Sequence, residues 1–105
     1  MSTALERKFD YLWRVLGGPE LETEYRFHKK RRWRFDRAIP DQRIGIEIEG
    51  GTWGKGRHNR EPGFTKDCEK YNTAARLGWK VYRFTGLMLD SPDKYIKPII
   101  EDLSL

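Results

Sequence analysis

Asp36, Glu47 and Glu49 are the residues of this chain best placed by type and spacing to do chemistry. Trp33–Ile39 alternates, and so does Arg43–Glu49, with Pro40-Asp41-Gln42 between them as turn chemistry. In the second run Ile44, Ile46 and Ile48 share one face of a strand, which leaves Glu47 and Glu49 on the other. A two-residue loop at Asp41-Gln42 sets Ile39 against Ile44, Phe35 against Ile48 and Asp36 against Glu47. Acids directly opposed on a ladder have Cβ atoms about 5 Å apart. At an effective dielectric of about 20 such charges repel by about 4 kcal/mol at 4 Å. A divalent cation between them turns that repulsion into attraction, so the pair reads as a metal site. Carboxyl groups on opposite sides of the sheet, or a protein cation filling the gap, would remove that argument.

The neighbouring acids have simpler readings beside the metal one. The same register sets Glu49 opposite Arg34, which suits a cross-strand ion pair as well as a ligand. Thr3-Ala4-Leu5-Glu6 is a capping box, so Glu6 either reaches back to a helix start or joins the metal site.

Two cationic stretches flank these acids. Arg26, Lys29, Lys30, Arg31, Arg32 and Arg34 place six cations and His28 within nine residues, interleaved with Phe27 and Trp33. The tract leads directly into the acidic site, so phosphates held by it would lie near a metal. Such contacts position a nucleic-acid backbone without reading sequence. Thr52–Arg60 adds Lys55, Arg57, Arg60, and also His58, which is either a general acid or base, as imidazole suits, or simply an exposed polar residue, and Trp53, which either stacks on a base or covers the core. On the following helix Lys70 is either a solvated lysine or a cation aimed at a reacting phosphate.

The elements that must position these groups follow from periodicity. Ser2–Leu16 reads as a helix with Leu5, Phe9, Leu12, Trp13 and Leu16 on one stripe, ended by Gly17-Gly18-Pro19. A strand is expected near Thr23–His28, before the two hairpin strands. Gly50–Gly63 is a loop by composition. A second helix is expected over Thr65–Leu77, burying Phe64, Cys68, Tyr71 and Ala75, with Asp67, Lys70 and Ala74 on a flank and Gly78 as its stop. Trp79–Phe84 reads as a buried strand, and a last helix starts at Ser91-Pro92 and is interrupted by Pro98. The expected order is αβββαβα, an α/β fold with a small mixed sheet.

The 105 residues carry a net charge of +5 and a sequence pI near 9.5. That length is one domain, 1–105, and the charge suits a polyanionic partner. A lone cysteine, Cys68, excludes an internal disulfide and fits a reducing compartment. No apolar run approaches membrane-spanning length and no signal core is present, so a cytoplasmic, soluble protein is expected. One cysteine and two histidines make no zinc signature.

Phe35-Asp36, Ile46-Glu47-Ile48-Glu49-Gly50-Gly51, Trp53, Gly56-Arg57-His58, Gly63-Phe64, Asp67, Glu69-Lys70-Tyr71-Asn72, Gly78-Trp79 and Arg83-Phe84 together resemble the PD-(D/E)xK nuclease superfamily. Within it the string is similar to small phage-type endonucleases, to very-short-patch-repair-like nucleases and, more loosely, to Holliday-junction resolvases. The resemblance spans about residues 6–85. It implies a restriction-endonuclease-like αβββαβ core, Asp36 and Glu47 as metal-binding acids, the Ile48 carbonyl as a backbone ligand, and Glu6 as a first-helix glutamate. The family pattern places lysine two residues after the glutamate, where this chain has Glu49. In some members that lysine stands on the following helix, which makes Lys70 its counterpart; alternatively Glu49 joins the metal shell. The implied activity is Mg²⁺-dependent hydrolysis of DNA, with Mn²⁺ as a substitute, by a homodimer acting on branched DNA. A nickase of mismatched or ordinary duplex and an inert nucleic-acid-binding module are the alternatives.

Overall fold

The computed structural model describes residues 2–50 and 62–105. His58, Trp53, Lys55, Arg57 and Arg60 therefore lie outside the described residues.

The first helix, α1 (Ala4–Val15), forms where the apolar stripe predicts it, and Phe9 and Trp13 are its buried residues. Thr3 caps it: its hydroxyl accepts from Glu6 N–H at 3.1 Å, while Glu6 Oε1 accepts from Thr3 N–H at 3.2 Å. Gly17, at φ +87°, turns the chain out of the helix. The strands follow as β1 (Glu22–Arg26), β2 (Arg34–Ile39) and β3 (Ile44–Glu49). After α2 (Gly63–Arg76) and β4 (Lys80–Thr85) come three short helices, α3 (Gly86–Leu89), α4 (Pro92–Tyr95) and α5 (Lys97–Leu103). The single expected C-terminal helix is thus two, α4 and α5. Pro98 sits in the first turn of α5, where its missing N–H is harmless. The sequence reading has no counterpart of α3.

The sheet runs β1-β2-β3-β4, with β1–β2 and β2–β3 antiparallel and β3–β4 parallel. The fold is α/β, a four-stranded mixed sheet flanked by helices, and α2 makes the crossover that the parallel pair requires. The expected register holds through Ile39↔Ile44, Ala38↔Gly45 and Arg37↔Ile46. The connection is not a two-residue loop, however. Pro40–Gln42 form a 3-10 turn, and Arg43 at φ 54° closes it by donating its N–H to Pro40 O at 3.0 Å. The register survives because the added turn residues leave the paired positions unchanged.

One face of the sheet carries the main core: Ile39, Ile44, Ile46 and Ile48 pack with Phe9 and Trp13 of α1, Phe84 of β4, and Leu89, Ile96 and Ile100. Each such side chain contributes about 1.5–3 kcal/mol on burial. The other face holds an aromatic layer of Tyr25, Phe27, Phe35 and Trp79, with Phe27 and Phe35 stacked at 4.3 Å and Phe35 and Trp79 at 5.2 Å. Gly45 leaves room for it; a Cβ there would stand 2.6 Å from the Phe35 ring.

The second helix corrects the sequence reading. Phe64, Cys68 and Ala75 are exposed, and the packed residues are Lys70, Tyr71 and Ala74, of which Ala74 is fully buried. Lys70 and Ala74 of the expected flank face inward beside Tyr71, which packs as expected, while Asp67 stays exposed. Residue hydrophobicity favours the wrong stripe because the partner face presents Glu47, which accepts hydrogen bonds rather than apolar contact. Val81 and Tyr82 of β4 are half-buried and Arg83 is exposed, so only Phe84 behaves as the expected buried strand.

Candidate active site

Asp36 lies in the middle of the sheet where pairing is interrupted on both sides. Between β2 and β3 the paired register ends at Arg37↔Ile46. Between β1 and β2 it runs Thr23↔Arg37 and Tyr25↔Phe35 and skips Glu24, opposite Asp36. Glu24 has φ 50°, in the left-handed region that a non-glycine residue in a strand seldom enters. The side-chain alternation slips here as well. Arg37 engages Asp10 of α1, whereas Phe35 packs on Trp79 and Gly45 on the opposite face. Phe35 therefore does not meet Ile48 side chain to side chain as the strict alternation predicts.

In the gap, side chains take over from the ladder. Asp36 N–H donates to Glu47 Oε2 at 3.0 Å, and Ile48 N–H donates to Asp36 Oδ2 at 2.8 Å. Each acid thus braces the opposite strand, so Asp36 and Glu47 are brought together but not as bare charges. Glu47 is 7% exposed and its second oxygen is occupied: Lys70 Nζ donates to Oε1 at 2.6 Å and Tyr71 Oη at 2.7 Å. Burial, together with the hydrogen bond to Glu47, pushes the Tyr71 phenol up from its ordinary value.

The cation anticipated as a threat to the metal argument is therefore present, but on one acid only. Lys70 compensates Glu47, and Asp36 receives no side-chain cation among the described residues. Burial is the largest cause that raises the Asp36 carboxyl to about 6; Glu47, Glu6 and Glu24 add to the rise, and the Ile48 N–H opposes it. Carboxylate oxygens of Glu6, Glu24 and Asp36 all lie within 4.8 Å of one another. Within this cluster Asp36 has no side-chain cation among the described residues, whereas Glu6 stands beside Arg37. The carboxylates are hard oxygen donors of the kind that Mg²⁺ and Mn²⁺ accept.

Glu49 pairs with Arg83, Nε to Oε2 at 2.8 Å, and not with Arg34. Arg34 stands at the start of β2, where its partner across the ladder is Arg26, while the parallel neighbour β4 brings Arg83 alongside β3. Glu6 fulfils its cap and also stands 3.9 Å from Arg37 Nη2. The Ile48 side chain is in the core, and its main chain is tied to Asp36 through the N–H.

Three residues of the site escape the sequence reading: Arg37, Glu24 and Tyr71 as a ligand of Glu47. Arg37 is 1% exposed. It grips Asp10 in a fork, Nε to Oδ1 at 2.8 Å and Nη2 to Oδ2 at 2.9 Å. Its Nη1 donates to Asp36 O at 2.7 Å and its Nη2 to Ser2 Oγ at 3.1 Å. One side chain thus fastens the start of α1 to the peptide of Asp36. A signal for it exists in the sequence: Glu6 and Asp10, four apart on one helix face, present two acids toward the sheet.

Of the basic tract, Arg26 and Arg31 are committed to internal contacts, and Lys29, Lys30, Arg32 and Arg34 are exposed with no ion-pair partner among the described residues. Comparison with known proteins returns no match: no family model, no curated protein and no solved structure is significantly similar to this chain.

Proposed function

We propose that the chain is a metal-dependent endonuclease with a restriction-endonuclease-like core, hydrolysing phosphodiester bonds of DNA, with branched DNA cut by a homodimer as the preferred substrate arrangement. The observation that supports the reading is that Lys70 of α2 reaches Glu47 beside Asp36, which makes it the candidate for the motif lysine. A twofold pair supplies the two active sites that paired nicks require.

Asp36 would hold Mg²⁺ or Mn²⁺ with Glu47, and with Glu6 or Glu24 completing the oxygen shell. When bound, the ion supplies a Lewis acid for the phosphate and a lowered pKa for the attacking water. Lys70 places a positive charge beside that position and stabilises the negative charge that develops on the phosphorane-like transition state. Tyr71 holds the Glu47 carboxylate through Oε1, and Arg37 holds the Asp36 peptide through its carbonyl. Lys29, Lys30, Arg32 and Arg34 contact phosphates.

A second reading, a nucleic-acid-binding module without catalysis, draws on the three donors, Asp36 N–H, Lys70 and Tyr71, that already engage Glu47. One assay separates them. A four-way junction, a nicked duplex and a linear duplex are incubated with Mg²⁺, Mn²⁺ or EDTA. Metal-dependent cutting of the junction supports the resolvase-like reading, and cutting of the duplexes alone supports the nickase. Binding without cutting under every condition leaves the inert module.

A further inference from the structure

The tip between β1 and β2 is built as a fixed object. His28 Nδ1 accepts from Lys30 N–H at 3.1 Å and from Arg31 N–H at 2.9 Å. Nδ1 is attached to Cγ, as Oδ1 is in asparagine, so the imidazole closes the same local turn that Asx side chains close. Arg26 closes it from the other side: Nε donates to Arg31 O and Nη2 to Lys29 O, both at 3.0 Å. Arg31 lies 4.0 Å over the Trp33 ring, Phe27 lies nearly parallel to that ring at 6.2 Å, and His28 meets its edge at 5.4 Å. Trp33 is therefore engaged in holding the tip together and is not offered to a base. What faces outward is the set Lys29, Lys30, Arg32 and Arg34.

We infer that this tip is a preformed clamp for the phosphate backbone of nucleic acid whose shape depends on a neutral His28, so that protonation of the ring releases it. The inference rests on the nucleic-acid part of the proposed function and refines it by naming a regulatory group. A protonated imidazole has N–H at both ring nitrogens and cannot accept at Nδ1, so both bonds are lost together. Imidazole titrates within pH 5–8. The charged groups around His28 are Arg26 on β1, Lys29, Lys30 and Arg31 within the tip, Arg32 and Arg34 on its far side, and Glu69 of α2, whose Oε1 is 3.4 Å from Arg31 Nη2. The clamp's four cations, which have no ion-pair partner among the described residues, predict a slope of log K against log salt of about −3.6, near −0.9 for each phosphate.

The test measures binding of a fluorescent 20-base-pair duplex of arbitrary sequence, in EDTA so that no cutting occurs, at fixed ionic strength between pH 7.5 and 5.5. The wild-type chain should weaken at least fivefold over that range although it gains a charge. His28→Asn, which retains the acceptor and cannot protonate, should bind like the wild type at pH 7.5 and keep its affinity at pH 5.5. His28→Ala should already be weak at pH 7.5, with circular dichroism confirming that it is folded. Superimposable wild-type and His28→Asn profiles overturn the inference, as does a wild-type chain that fails to bind duplex at pH 7.5. Superimposable profiles remove the His28 switch alone, whereas failure to bind duplex also removes the phosphate contacts on which it rests; metal-dependent cutting is read separately in the cleavage assay.

Discussion

Lys70 Nζ and Glu47 Oε1 form a 2.6 Å ion pair that is nearly out of solvent, with side-chain exposures of 16% and 9%. A helix lysine and a strand glutamate 23 residues apart thereby share one hydrogen-bonding site with Tyr71. Removing one partner of such a pair leaves the other buried and unpaired, which costs far more than replacing both. Lys70→Met is expected to lose about 3 kcal/mol of stability, with the double variant Lys70→Met/Glu47→Gln recovering most of it. Urea unfolding of the two singles and the double checks this; additive losses contradict the coupling.

Asp36 is held in a place that disfavours its charge, and the sign of the consequence is definite. Its carboxyl is raised from 3.8 to about 6, so the native state binds its proton more tightly than the unfolded chain. The ionised group therefore costs stability in full above pH 6, less as the pH falls from 6 to 3.8, and nothing below. The site is half-open, so after screening the cost is roughly 1 kcal/mol. Asp36→Asn should raise the melting temperature by about 4 °C at pH 8 and leave it unchanged at pH 4. It should also abolish cutting while duplex binding persists. A variant that melts lower at pH 8, or that still cuts, counts against the assignment.

Among the described residues Arg37 is the one charged side chain sealed between α1 and the sheet, and its loss strands the carbonyl of Asp36. Arg37→Met is expected to cost about 3–5 kcal/mol, measured by chemical denaturation. Asp10→Asn leaves the sealed Arg37 guanidinium facing a neutral acceptor, with Glu6 at 3.9 Å as its remaining charged partner, so it should cost a substantial part of that loss. Equal losses would show that the fork to Asp10, not the bond to Asp36, is what matters.

Gly45 tests the packing beneath the site. Gly45→Ala drives a methyl group into the Phe35 ring and should cost about 1–3 kcal/mol. A neutral effect would mean that Phe35, and with it the aromatic layer, is free to move.

The sequence makes the hairpin register legible because Ile44, Ile46 and Ile48 alternate without exception, and a slip of one residue would turn all of them out of the main core. It makes α1 legible through the spacing of Leu5, Phe9 and Trp13 and through Thr3 and Glu6. The inward face of α2 is hidden, since Lys70 and Tyr71 face inward for their polar ends while Phe64 and Cys68 stay outside. Glu49 is given the wrong partner because a parallel neighbour leaves no local trace: Arg83 lies 34 positions away. The distortion at Glu24 and Asp36 is invisible for a related reason, being a property of three strands together and of no single run.

A divalent ion at Asp36 is the centre of the proposed chemistry. Titration of Mn²⁺ at pH 7.5, with the free ion followed by electron paramagnetic resonance, measures it directly. The account predicts saturable binding by the wild-type chain, weakening about tenfold per unit as the pH drops below 6, and loss of binding in folded Asp36→Asn. Identical Mn²⁺ binding by the two proteins, or none by the wild type, contradicts it.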